Sequence, residues 1–147
     1  ACEIFFAGHV WPVNNALLTA GQDLHVFIQI WKAGVTGMDG PSDGLEVIVR
    51  YRLAGAPGWT ESSAAYHKDF DFTNDVGYTG NNEEHTFVIP AAFSAGHAGE
   101  DLEIDLIPMD YTGGPNHGHA YNNTPVYDQG WMVGQAKSAA PLTYHIQ

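Results

Sequence analysis

The chain has 147 residues, 44% of them hydrophobic, which suffices for one domain core, and we predict a single domain over 1–147. Seventeen acidic residues against five basic ones give a formal charge of −12, which disfavours nucleic acid and anionic lipid as partners. No apolar run approaches the roughly 20 residues of a membrane-spanning helix, so we predict no membrane span.

Alternating apolar and polar residues, the pattern of β-strands, recur along most of the chain. In chain order, the predicted elements are strands over Glu3–Val10, Asp23–Trp31, Leu45–Arg52, Asp69–Phe72 and His85–Ile89, a short helix-like stretch within Pro90–His97, and strands over Asp101–Met109, Gly130–Val133 and Leu142–Ile146. Turns rich in Gly, Pro and Asn separate them, and no crossover helix is predicted. We therefore predict an all-β fold, an antiparallel β-sandwich that is immunoglobulin-like or jelly-roll-like.

Residues 20–51, AGQDLHVFIQIWKAGVTGMDGPSDGLEVIVRY, combine a Gly-initiated strand ending in an aromatic, the triplet GVT, a Gly-rich loop and a second strand. Gly58-Trp59, the stretch Gly80–His85 and the stretch Gly118–Tyr121 extend this pattern over most of the chain. Together they resemble secreted bacterial β-sandwich accessory or surface modules, similar to starch-binding-type carbohydrate-binding modules. The resemblance implies a β-sandwich at an extracellular or cell-surface, bacterial location.

Aromatic residues at strand ends and in Gly- and Asn-rich loops are candidates for a ligand or interface surface. A ring can stack on the C–H face of a sugar, and Tyr and Trp are also enriched where proteins meet. For Trp31 and Trp59 we favour a position in the core over a position in such a surface. The candidate residues are Trp31, Trp59, Tyr78, Tyr111, Tyr121, Asn122, Asn123, Tyr127 and Trp131.

Two sets of residues are candidates for metal binding, although we predict no required cofactor. Calcium prefers oxygen-rich loops, and several acidic residues could supply such ligands. The alternative interpretation of these acidic residues is a solvated acidic surface. His117 and His119 are spaced to chelate a transition metal, and a flexible polar loop explains them equally well. The calcium candidates are Asp69, Asp71, Asp75, Glu83 and Glu84.

The N-terminal segment 1–7 is short, apolar and β-prone, and it contains Cys2, Ile4, Phe5 and Phe6. We expect it to form an edge strand in its own fold or to complete an open sheet in a neighbouring copy. Because Cys2 is the single cysteine, an intrachain disulfide is excluded. A free thiol, an interchain bridge and a lipid-bearing cysteine remain open for it.

The sequence contains no H-E-x-x-H and no Gly-rich phosphate loop, and we predict a non-catalytic protein. Two functions remain. The first is a structural or adhesive subunit that associates with copies of itself through strand edges and aromatic loops, forming a fibre or surface assembly. The second is a carbohydrate-binding module with a Tyr/Trp platform for extracellular neutral polysaccharide. We favour the first because both termini are apolar enough to pair with a partner.

Overall fold

The computed structural model describes the backbone of residues 6–32, 34–37, 40–69, 82–111, 126–128, 137–139 and 141–147, and the side chains of all of these except 6–9, 126–128 and 137–139. This part of the chain forms eleven strands and one short helix. Their bounds are β1 (Phe6–Trp11), β2 (Leu17–Leu18), β3 (Leu24–Trp31), β4 (Leu45–Leu53), β5 (Thr60–Ser63), β6 (Ala65–Asp69), β7 (Glu83–Ile89), α1 (Ala91–Ser94), β8 (Asp101–Asp110), β9 (Val126–Asp128), β10 (Lys137–Ala139) and β11 (Leu142–Ile146).

The strands form two main sheets. A four-stranded sheet has the order β1-β3-β7-β6, and a five-stranded sheet has the order β2-β11-β8-β4-β5. All pairs are antiparallel except β2 with β11, which is parallel. The strands β9 and β10 pair with each other, also antiparallel. The predicted all-β fold is confirmed in this part of the chain, which holds almost no helix.

The strongest alternation patterns correspond to β3, β4, β7 and β8, and the terminal patterns to β1 and β11. The short helix α1 lies inside the predicted Pro90–His97 stretch and ends before Gly96, whose φ of +78° is a left-handed conformation that glycine tolerates. No helix in the described ranges is long and apolar enough to cross a membrane. Sequence patterns did not predict β2, β5, β6, β9 or β10. Residues 70–72 and the predicted strand Gly130–Val133 lie outside the described residues.

The hydrophobic core is built from alternate residues of both main sheets. In β8, for example, Leu102, Ile104 and Leu106 are buried, and the residues between them are not. Tyr51 of β4 links the sheets, because its ring lies 5.8 Å from the ring of Phe87 on β7. The core cluster comprises Val10, Val26, Ile28, Ile30, Leu45, Val47, Val49, Tyr51, Ile89, Leu102, Ile104, Leu106, Leu142, Tyr144 and Ile146.

One end of this interior is polar. Lys32, just after β3, forms a buried ion pair with Asp110 at the end of β8, so the pair bridges the two sheets. Glu83 is fully buried at the start of β7, where the carboxylate oxygen Oε1 accepts a hydrogen bond from the Ser42 amide at 2.8 Å. Its other oxygen lies 2.8 Å from Nε2 of His85. Such groups persist in an interior because each has a charged or hydrogen-bonding partner.

Candidate functional site: the open edge and outer face of the five-stranded sheet

A single extended segment forms an outer strand of both main sheets. β5 is the last strand of the five-stranded sheet and β6 is the last strand of the four-stranded sheet. Only Ala64 separates them, and its amide donates to the Val47 carbonyl at 2.8 Å where the β5 ladder ends. The chain therefore crosses from one sheet to the other along the edge of the molecule.

β5 has the sequence Thr-Glu-Ser-Ser, and all four of its side chains are exposed. It pairs antiparallel with β4, with Ser63 opposite Ile48 and Thr60 opposite Tyr51. Backbone groups along a strand point alternately to its two sides. Because the Ala64 amide points toward β4, the amides of Thr60 and Ser62 do so too, whereas those of Glu61 and Ser63 point away. No described strand lies on that outer side.

β6 is held against the sheet by side chains as well as by its ladder. Its register shifts between Tyr66 and Lys68, which is a β-bulge. Nδ1 of His67 lies 2.6 Å from Oε1 of Glu84, and Oδ2 of Asp69 accepts a hydrogen bond from the Gly40 amide at 2.8 Å. Desolvation raises the pKa of the Tyr66 hydroxyl, and the negative charge of Asp69 adds to the shift. This strand is therefore a protected edge.

The outer face of the five-stranded sheet, opposite the core, carries paired charges. On β4, Nε of Arg52 lies 3.1 Å from Oε1 of Glu103 on β8, and NH2 of Arg50 lies 3.5 Å from Oδ2 of Asp105. These partners sit directly opposite each other in the β4–β8 register. The carboxylate row of β8, formed by Glu103 and Asp105, is therefore partly neutralised by the arginines and not only solvated.

Trp59 lies over the two arginines of this face. Its ring centroid is 4.1 Å from Cζ of Arg52 and 5.3 Å from Cζ of Arg50, a cation–π arrangement. The side chain is partly exposed, directly before β5, and is not a member of the core cluster. Its position therefore differs from the core position that the sequence favoured.

The other described aromatic candidates do not join Trp59 in one platform. Trp31 is partly exposed at the end of β3, in the other sheet, opposite Phe6 of β1. The Tyr111 amide donates to the Gly44 carbonyl, which places Tyr111 beside the start of β4, whereas Trp59 stacks near its end. The backbone of Tyr127 lies in β9. The candidates Tyr78, Tyr121, Asn122, Asn123 and Trp131 lie outside the described residues.

Of the carboxylates predicted for calcium, Asp69 lies directly opposite Glu83 in the β6–β7 register, whereas Glu84 is set apart from them. Glu83 and Glu84 are successive residues of β7 and so point to opposite faces. Glu83 contacts His85, whereas Glu84 contacts His67. No group of three or more His, Cys, Asp and Glu within the described ranges could hold a metal ion. Because Asp71, Asp75, His117 and His119 lie outside those ranges, calcium and transition-metal binding stay predictions.

Of the predicted assembly segment, Phe6 begins β1, which is an edge strand of the four-stranded sheet. Cys2, Ile4 and Phe5 lie outside the described residues.

The edge segment of β5 and β6 was not predicted from the sequence because Thr-Glu-Ser-Ser lacks apolar alternation. The turn Gly55-Ala-Pro-Gly58 directly after β4 is a signal that could have predicted a returning strand.

Comparisons with known proteins identify no relative: no family model, no curated protein and no solved structure matches the chain. The resemblance to secreted bacterial β-sandwich modules therefore stays a prediction.

Proposed function

We propose that this chain is a non-catalytic, extracellular β-sandwich domain of bacterial origin, immunoglobulin-like or jelly-roll-like, that acts as a structural or adhesive subunit. Copies of the chain associate through strand edges. The observation that carries this proposal is the edge strand β5, whose four side chains are all exposed and whose outer side pairs with no described strand.

The shared core supports the sandwich arrangement. Residues of both main sheets enter one hydrophobic cluster, and the rings of Tyr51 and Phe87 meet between them. Two sheets that bury one face each against the other need no helix to complete the core. The extracellular location rests on composition, since only 15% of the residues are charged, where about a quarter is usual.

An open edge favours association because its backbone donors and acceptors can continue the ladder in another chain. Natural proteins block such edges with very short strands, charged side chains, proline, bulges or a covering segment. β5 is four residues long and carries the charged Glu61. β5 contains no proline or lysine, and its register with β4 is continuous. Three of its four residues are small hydroxyl residues, which allow close approach of a second strand.

The test is the mass of the purified chain in solution, measured by sedimentation velocity over a range of salt concentrations and followed by negative-stain electron microscopy. We expect reversible association that strengthens with salt, because each chain carries a formal charge of −12 and salt screens the repulsion. A chain that stays monomeric at every salt concentration would contradict the proposal.

A second function, binding of neutral polysaccharide, is favoured by Trp59. Its indole ring is partly exposed beside Arg50 and Arg52, and the exposed part offers a surface for stacking on a sugar. The carboxylates of Glu103 and Asp105 flank the same surface as hydroxyl acceptors. Aromatic stacking contributes about 0.5–1.5 kcal/mol, so Trp59→Ala should weaken binding by up to about tenfold in affinity electrophoresis on starch, and Trp59→Phe should weaken it less. A parent chain that starch does not retard would remove this candidate.

A further inference from the structure

The outer side of β5 presents backbone groups at two positions. The amides of Glu61 and Ser63 point away from β4, because the Ala64 amide donates to Val47 and backbone directions alternate. The carbonyl groups of Glu61 and Ser63 point the same way. A strand added here would form its hydrogen-bonded pairs at these two residues.

Charge decides which register a second β5 strand can take. In an antiparallel pairing, Glu61 opposite the second copy's Glu61 would place two carboxylates face to face, which is destabilising. Ser63 opposite the second copy's Ser63 would leave Glu61 opposite Ala65, which lies beyond the point where the chain crosses to the other sheet. Glu61 opposite the second copy's Ser63 avoids both problems and uses every outward-facing amide of β5.

We propose that β5 is a homodimer contact, in which the β5 strands of two copies pair antiparallel about a two-fold axis through Ser62, with Glu61 opposite the second copy's Ser63. This inference rests on the proposed self-association and names its contact. The two five-stranded sheets then become one continuous sheet, and a two-fold axis perpendicular to that sheet keeps both outer faces on the same side. The protected edge β6 does not take part in this ladder.

The experiment compares the parent chain with Ser63→Pro and Ser63→Ala by sedimentation velocity at raised salt. Proline deletes an outward-facing amide and leaves the ladder with β4 intact. We expect Ser63→Pro to weaken dimerisation at least tenfold. Ser63→Ala keeps the amide and loses only the exposed hydrogen bond from the Ser63 hydroxyl to Glu46, so it should dimerise within about twofold of the parent.

The outcomes separate this inference from the proposed function. If the parent chain associates and a folded Ser63→Pro variant associates equally well, the β5 contact is overturned and self-association stands. If the parent chain is monomeric throughout, both are overturned. The far-ultraviolet circular dichroism spectrum and the urea midpoint establish that each variant is folded.

A charge exchange tests the register without proline. Ser63→Glu places a carboxylate opposite the second copy's Glu61 and should weaken dimerisation at least tenfold. Adding Glu61→Lys to this variant places a lysine opposite each introduced glutamate of the second copy. The double variant should therefore regain most of the lost dimer affinity. A double variant as weak as Ser63→Glu alone would overturn the register.

Discussion

The five-stranded sheet ends differently at its two sides. On the β11 side, the chain from Pro12 to Ala20 covers the edge: the Asn15 amide donates to the Thr143 carbonyl at 2.7 Å, and β2 adds only two parallel residues. Side chains complete the closure, because Oδ1 of Asn14 accepts from the Thr143 amide at 2.8 Å. On the β5 side, the described residues contain no such covering segment.

The sheet thus closes one edge with its own chain, whereas among the described residues nothing covers the other edge. The closed edge is tied to the interior by the Tyr144 hydroxyl, which donates to the Pro12 carbonyl at 2.6 Å. The open edge is tied by its ladder with β4 and by exposed polar contacts such as Ser63 with Glu46. Changes at the closed edge should therefore affect stability, and changes at the outer side of β5 should affect association.

The largest effect is expected at the closed edge. Tyr144 is fully buried, so Tyr144→Ala should lower the free energy of unfolding by about 3–5 kcal/mol through loss of packing and the cavity left behind. Tyr144→Phe removes only the hydrogen bond to Pro12 and should cost about 1–2 kcal/mol. Urea denaturation measures both values. Equal losses for the two variants would show that the hydroxyl, rather than the packing of the ring, holds this edge.

The same tyrosine predicts a pH dependence. Burial raises the pKa of Tyr144 in the folded chain well above its unfolded value of about 10. Its contribution to stability is therefore fully present below about pH 10 and is lost as the pH rises through the folded-state pKa. The free energy of unfolding should fall above pH 10, and it should fall less steeply in Tyr144→Phe. Identical slopes in urea denaturation series at several pH values would contradict this explanation.

A smaller effect separates the two sides of β5 itself. Ser62→Pro removes an amide that points toward β4 and should cost about 1–3 kcal/mol of unfolding free energy. Ser63→Pro removes an amide that points outward and should cost less than about 0.5 kcal/mol in the monomer, as surface changes usually do. The pair is compared by urea denaturation at low salt and low protein concentration. A reversed order would mean that the assigned backbone directions are wrong.

Sequence patterns predicted the strands that alternate strictly around the core. β3 and β8 each carry three buried aliphatic residues in alternation, Val26, Ile28 and Ile30 in β3 and Leu102, Ile104 and Leu106 in β8. Apolar residues at every second position indicate a strand with one buried face. Its register is also well defined, because a shift of one residue in the strand pairing would expose all of these apolar side chains. These elements also fix the orientation of the carboxylate row on β8.

The edges were not predictable in the same way. β2 has two residues and β5 has no apolar residue, so their strand conformation comes from pairing with β11 and β4 rather than from local pattern. The burial of polar residues was also not predictable, because it too depends on partners elsewhere in the chain. Gln29 alternates with Ile28 and Ile30, so the pattern places it on the face opposite the core, yet it is fully buried, and its Oε1 accepts a hydrogen bond from Asn82 at 3.0 Å. Such partners are distant in sequence, and the pattern around Gln29 does not indicate them.

A thiol introduced at Ser62 tests whether β5 pairs with β5 of a second copy about that residue. In the Cys2→Ser background, Ser62→Cys places two thiols in a non-hydrogen-bonded pair, where Cα atoms lie about 4.5 Å apart, within the range of about 4.4–6.8 Å that a disulfide spans. Ser63→Cys is the matched control, because each introduced thiol then lies opposite the second copy's Glu61. We predict a covalent dimer on mild oxidation of Ser62→Cys and little from Ser63→Cys on non-reducing electrophoresis. Equal cross-linking of the two variants, or none from Ser62→Cys under conditions where the chain associates, would contradict the claim.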